Sequence, residues 1–493
     1  MKIIELEKVR LLFKTKVSIF FNKQFKYLSM KFLFKKLIIL GIFVASNSYG
    51  NDKQEASIII KNATIITMTD KDVIENGSVV IKDDKIIDVG SDDIVNNYVA
   101  PVVIDAENNI VMPGMVNAHT HVPMLAFRGL GENGIHNRLF GYFIPLEKKF
   151  VTPEMVYTST VHGAIELVQG GVTTYADMYY FMDEEAKAIK AVGVRGVLGE
   201  TIIQNPSPDA ENESEAIDIT LALAEKYKND DMVIPAFAPH TTYTVTEESL
   251  MKISKLSQEK NIPVLIHLAE IPNKENRGLD KDNVEYLRKV GLLNDKTNIA
   301  HAIHLEEQDL LDIKDSGAGV SYNPEANAKG ATGIADAYTM LKLGIPLGIG
   351  TDGPMSANQI SILPYLNYAA NMQRLKYSDR TIMLPKDVVY MATLGGAKSL
   401  HIDDMVGSIE KGKKADVIMI NTKSANMIPH HDIYASIVFQ ANPSDVYNSI
   451  IDGKLVMYNR NILTYDSDKD YKNMEILSKK VYEYGQELAK EAK

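Results

Sequence analysis

The chain contains no cysteine and no tryptophan among its 493 residues. The first absence excludes disulfides, thiolate metal sites and a lipoprotein anchor. Long apolar runs are scarce as well. The most apolar stretch near the N-terminus, Leu37 to Ala45, is too short to span a bilayer stably. Positive charge is scarce outside the N-terminus. Residues 1–50 carry ten Lys/Arg and two Glu, a net of +8, so the overall formal charge of −11 leaves −19 on the remainder. An acidic body of that kind argues against nucleic acid and anionic membranes as partners.

What is present in residues 1–50 reads as an address. Lys31, Lys35 and Lys36 precede the apolar run, and Ser48 and Gly50 then stand at the minus-three and minus-one positions of a cleavage site. This is the layout of a secretory signal peptide over about Met30–Gly50. Periplasmic or secreted location is expected, with no stable membrane anchor after processing. Two alternatives stay open, a retained anchor and a cytoplasmic enzyme whose leader is not processed. Translation is expected to begin at Met30.

Ile- and Val-rich runs at 56–68, 78–90 and 102–111 predict short strands, and strand patterns return at 407–421 and 445–462. Asp452-Gly453 suits a two-residue hairpin turn, because both residues tolerate positive φ. Between these flanks, strand-like runs alternate with helical stretches such as Glu247 to Lys260 and Ile334 to Leu343. The runs end at His121, Met178, Glu200, His240, Glu270, Leu305, Pro324 and Asp352. Eight β/α units predict an α/β fold, a closed (β/α)8 TIM barrel over 112–402. The flanks, 51–111 with 403–465, are expected to form a small β-sandwich from both chain ends. Residues 466–493 read as a charged, solvated outer helix.

Reactive groups in such a barrel sit at the C-terminal ends of the strands. There the sequence places His119 and His121, two residues apart and so on one side of a strand. Other strand ends offer His267 with Glu270, His301 with His304, and Asp352 after an apolar run. Imidazoles with a carboxylate suit zinc or ferrous iron better than magnesium or calcium.

The segments PGMVNAHTHVPMLAFRGL (113–130), APHTTYTVTEE (238–248), IHLAE (266–270), AHAIHL (300–305), SYNPEAN (321–327) and GTDG (350–353) carry a family likeness. Through them, residues 56–465 resemble the amidohydrolase superfamily, and within it the 5-methylthioadenosine/S-adenosylhomocysteine deaminases and their chlorohydrolase relatives. The resemblance implies one divalent metal, zinc or iron, held by His119, His121, His267 and Asp352. It implies that Asp352 accepts a proton from the metal's water, that Glu270 protonates the substrate ring, and that His301 orients the attacking oxygen or stabilises the new oxygen on the tetrahedral carbon. It further places Glu147 on the ribose hydroxyls, His240 near the purine or its 5′-group, and Arg195 opposite a carboxylate on that group.

Some residues depart from the family pattern. The loop after the third strand, Gln204 to Asp209, lacks a second arginine; Arg138 replaces a usual tryptophan; Ala326 stands where serine is common. These tilt the expectation toward methylthioadenosine or adenosine over S-adenosylhomocysteine. Guanine, an aminofutalosine-type nucleoside or an s-triazine remain alternative substrates, and a secreted binding protein without catalysis is the competing class. The expected partners are a small-molecule substrate and, if the enzyme is a homo-oligomer, further copies of the chain.

Overall fold

The computed structural model describes residues 53–132, 139–272 and 280–491. The leader and Arg138 lie outside the described residues. Eight strands close a parallel barrel. They are β1 (Met115–Thr120), β2 (Val172–Tyr179), β3 (Arg195–Ile202), β4 (Val233–Pro239), β5 (Val264–Leu268), β6 (Thr297–His301), β7 (Gly319–Tyr322) and β8 (Leu347–Ile349). Closure is made by Ile349 of β8 in register with Asn117 of β1. Every residue of β1, β2 and β3 is buried, as expected of strands enclosed by helices on one side and the barrel interior on the other.

Local chemistry sets the helix bounds. Helix Glu247–Lys260 starts where the Thr246 side chain accepts from the Ser249 amide, and it ends at Asn261 in the left-handed region. Its bounds match the expected ones. The next example does not: the helix expected from Ile334 begins only at Ala337, because the Asp336 side chain caps the Thr339 amide and stops the helix from extending backward.

The two chain ends pair in one nine-stranded sheet. Strand Val417–Ile420 lies antiparallel to Ile110–Pro113, which joins the C-terminal half of the sheet to the N-terminal half. Ile60, Ile81, Val111, Val417, Met419 and Ile450, drawn from both halves, share a single core. Full burial of each such side chain contributes about 1.5–3 kcal/mol, enough to hold distant segments of chain together. The hairpin turn at Asp452-Gly453 is present, with φ of 51° and 72°.

The structure changes two further expectations. The C-terminal helix, Ser467–Glu491, is not solvated all round: Asp470, Met474 and Val481 are buried, and Asp470 meets the His162 ring nitrogen at 2.7 Å. Its charge density concealed a face that packs on the barrel. Arg195 is not at a substrate site either. It is the first residue of β3, at the opposite end of the barrel from the C-terminal strand ends, and is fully buried. Its Nη2 and Nε donate to the two carboxylate oxygens of Asp416 at 3.1 and 3.3 Å, with Asp452 3.7 Å away. An always-charged guanidinium buried at the base of the barrel must be paired, and Asp416, beside strand Val417–Ile420, supplies the charge.

Arg195 therefore fastens barrel to sheet. Replacing it with Met leaves Asp416 buried and uncompensated, so chemical denaturation is expected to show a loss of about 3–5 kcal/mol. The Michaelis constant of the folded fraction should not change; a selective rise in that constant would return Arg195 to the substrate.

Candidate metal centre

At the C-terminal mouth of the barrel, β1 delivers His119 and His121 with ring centroids 4.8 Å apart. The His267 ring, from β5, lies 4.9 Å from that of His119 and 5.4 Å from that of His121. Asp352 follows β8 and brings Oδ1 to 3.3 Å from His121 Nε2 and 3.8 Å from His119 Nε2. His301, the last residue of β6, stacks on His267 at 5.5 Å. Glu270 Oε2 sits 3.9 Å from His301 Nε2. His240, at the end of β4, packs edge-on against His267 at 5.1 Å. His304 turns away to the Thr332 carbonyl.

Hydrogen bonds fix which nitrogens face inward. His121 Nδ1 donates to the Met178 carbonyl at 2.6 Å, and His267 Nδ1 to the His240 carbonyl at 2.7 Å. With Nδ1 of each ring turned outward to a carbonyl, both Nε2 atoms face inward, only 3.4 Å apart. The buried His119 Nε2 has no hydrogen-bond partner. Ligand atoms of His119, His121 and His267 lie within 4.8 Å of one another, and so do those of His119, His301 and Asp352. Several ring nitrogens and a carboxylate converge there, a grouping that a shared cation stabilises. The donor set therefore fits a divalent metal with nitrogen and oxygen ligands. Carbonyl partners that set tautomer and ring orientation are the usual support of such ligands.

The electrostatics agree. Burial pushes His119 and His267 well below the ordinary imidazole value, reinforced by the neighbouring histidines, so both are neutral and able to ligate. His240 falls to about 4 for the same reasons. Burial also opposes charge on His121, but the Asp352 hydrogen bond outweighs it and raises the ring's pKa. The converse holds for Asp352: burial raises it, and the histidines bring it below the carboxylate range. The space between these groups favours positive charge, from a proton or from a metal.

Backbone strain accompanies the chemistry. Ala269, His301 and Asp352 adopt φ of 52°, 74° and 61°. Each left-handed non-glycine residue costs on the order of 1–3 kcal/mol and persists where the surroundings hold it. Here Thr351 and Asp352 amides both donate to the His119 carbonyl, and the Ala302 amide donates to Leu268.

A match to the model of the amidohydrolase family spans residues 110–456. The chain belongs to the amidohydrolase family. This amidohydrolase is 34% identical over 421 residues to a 5-methylthioadenosine/S-adenosylhomocysteine deaminase of Thermodesulfovibrio yellowstonii, covering 84% of this chain and 96% of that one. It is 35% identical over 423 residues to a 5′-deoxyadenosine deaminase of Methanobrevibacter smithii, with the same coverage of 84% and 96%. Among solved structures it superposes on a zinc-bound adenosine deaminase from Xanthomonas campestris with a TM-score of 0.84 at 26% identity, over 87% of this chain and 99% of the other.

Two groups of residues around the amidohydrolase centre had no expected role. Asn327 Oδ1 accepts from His301 Nδ1 at 2.9 Å, and Asn323 Nδ2 is 3.3 Å from the same atom. Both lie in the SYNPEAN segment, whose side chains are too distant in sequence to be matched to His301 by spacing. Behind β1 and β2, the carboxyls of Asp177 and Glu185 face each other, fully buried. Asp177 Oδ1 accepts the Val122 amide at 2.7 Å, immediately after His121, and Tyr175 donates to Glu185 at 2.6 Å. Asp177 was visible as a carboxylate inside an apolar strand, which needs a partner; Glu185 looked like an ordinary first-turn residue of its helix.

Burial raises Glu185 from 4.5 to about 7, despite its bonds to Tyr175 and Asp177. Between those values the native chain keeps a proton that the unfolded chain has lost. Stability should therefore fall as pH rises from about 4.5 to about 7, by up to about 3 kcal/mol from this group. Denaturation of the wild type and Glu185→Gln at about pH 5 and about pH 8 tests it. The wild type should lose stability relative to the variant at the higher pH; parallel behaviour would remove the shared proton from the account.

Proposed function

We propose that this amidohydrolase hydrolytically deaminates the adenine ring of a nucleoside, releasing ammonia. The observation that carries the reading is the placement of the Glu270–His301 pair beside the convergent His119, His121, His267 and Asp352. The deaminases named among its relatives act in the same direction. His119, His121, His267 and Asp352 would hold one zinc ion, a metal that suits the donor set and is held by the Xanthomonas deaminase. A divalent cation there supplies Lewis acidity that makes water a usable nucleophile near neutral pH.

The rest is work for side chains. Asp352, kept ionised by the histidines, takes the proton of the attacking water. Glu270 protonates the ring nitrogen beside the amino-bearing carbon, which makes that carbon electrophilic. Oxygen adds to the carbon, the amino group takes up a proton, and the carbon–nitrogen bond breaks to give ammonia and the oxo-purine. His301, whose Nδ1 donates to Asn327, turns its Nε2 toward the site, where it would orient the attacking water. His240, neutral under these conditions, lines the mouth.

Glu147 would accept from the two ribose hydroxyls. Its Oε1 already receives the Tyr179 hydroxyl at 2.8 Å, which steadies the carboxylate. The 5′-group is read as small or uncharged. Arg195, expected to meet a carboxylate there, is committed to Asp416. Asp209, in the loop after β3, is taken up by the Phe181 amide and the Ser207 hydroxyl.

Ammonia release from methylthioadenosine and from adenosine is expected to exceed that from S-adenosylhomocysteine, whose 5′-carboxylate finds no partner in Arg195. Glu270→Gln should cut turnover by about 10²–10⁴-fold while the metal content is unchanged. Retained turnover in that variant, or ammonia from none of the three nucleosides, would contradict the proposal.

A further inference from the structure

Glu147 differs from the other residues of the site in its support. The histidines, Glu270 and Asp352 stand on or just beyond barrel strands, whereas Glu147 rides on the seven-residue helix Ile144–Phe150 in the connection between β1 and β2. A helix of under two full turns does not hold itself in place. Its inner side is anchored by the buried Leu146 and by the Tyr179 hydroxyl on Glu147.

Its outer side rests on the C-terminal helix. Tyr142, just before the short helix and 1% exposed, donates its hydroxyl to the Gly485 carbonyl at 3.0 Å. Phe150, at the other end, meets the Tyr484 ring edge-on at 5.6 Å, and Lys149 Nζ lies 5.7 Å over the same ring. Both ends of the Glu147 helix are thus gripped by two consecutive residues of one distant helix. A Cβ at position 485 would lie 2.9 Å from the Tyr142 hydroxyl oxygen and 3.3 Å from Leu130 Cδ1, so glycine is what allows the close approach. The C-terminal helix is itself pinned to helix Pro153–Gln169 by the buried Asp470 against His162.

We infer that the C-terminal helix is a positioning element for nucleoside binding, holding Glu147 at the ribose through Tyr142 and Gly485. This rests on the adenine-nucleoside reading above. It predicts an effect on ribose recognition and none on the chemical step.

The test uses the full metal-loaded chain with Tyr142→Phe, alone and combined with Glu147→Gln, assayed on adenosine and on 2′,3′-dideoxyadenosine. Tyr142→Phe should raise KM for adenosine by roughly five- to tenfold with kcat within about twofold, as loss of one buried hydrogen bond to a positioning group allows. KM for the dideoxy compound should not change, and the substitution should add nothing in the Glu147→Gln background. Equal effects on both nucleosides, additive effects in the double variant, or a matching fall in kcat would overturn the inference. Hydrogen exchange over residues 144–150 gives a second readout that needs no turnover. Faster exchange in Tyr142→Phe supports the brace, and unchanged exchange overturns it. A wild type that deaminates neither nucleoside would defeat the functional reading, and the exchange result would still decide whether the helix is held.

Discussion

Imidazole nitrogens facing one another across 3.4 Å, inside a barrel and beside the buried carboxylate of Asp352, are the constraint on which the rest of this structure turns. Such an arrangement repels in isolation and becomes favourable only around positive charge. The fold is organised to impose it. Parallel strands deliver His119, His121, His267 and His301 from three directions, carbonyls take up the outward nitrogens of His121 and His267, and strained backbone at His301 and Asp352 turns those side chains inward. Layers behind them repeat the pattern with acids: Asp177 holds the amide next to His121 and shares its charge burden with Glu185. Metal affinity, in this account, is stored in the folded chain as unsatisfied electrostatics.

The two ends of the barrel divide the labour. At the mouth, polar groups are left available to metal and substrate. At the base, they are consumed: Arg195, Asp416, Asp452 and Lys414 pair with one another where barrel meets sheet. Glu147 falls between these regimes. It belongs to the mouth but is carried by a connection, so its placement depends on packing from outside the barrel, at Tyr142 and Gly485.

Most of the barrel and the inner ring of its site were legible in the sequence, and the reason is locality. Strand ends, the paired histidines of β1, the bounds of helix Glu247–Lys260 and the Asp452-Gly453 turn each follow from residues within a few positions. The misreadings of Arg195 and of the C-terminal helix are long-range. Arg195 stands in a strand whose start is easily seen, but its partner Asp416 is far along the chain. The C-terminal helix is rich in charge, and only its contacts reveal that Met474 and Val481 face inward. The Asp177–Glu185 pair and the Asn327 support of His301 need the fold before they can be seen at all. For the helix expected at Ile334 the deciding signal is local, the capping side chain of Asp336.

Metal stoichiometry joined to chelation tests the central claim most directly. The purified chain should bind about one zinc per subunit. Chelation should lower its melting temperature and abolish ammonia release from an adenine nucleoside, and added zinc should restore both. His121→Ala should bind no metal and behave as the chelated wild type does. Full deaminase activity in a chain free of metal, or in His121→Ala, would contradict the account.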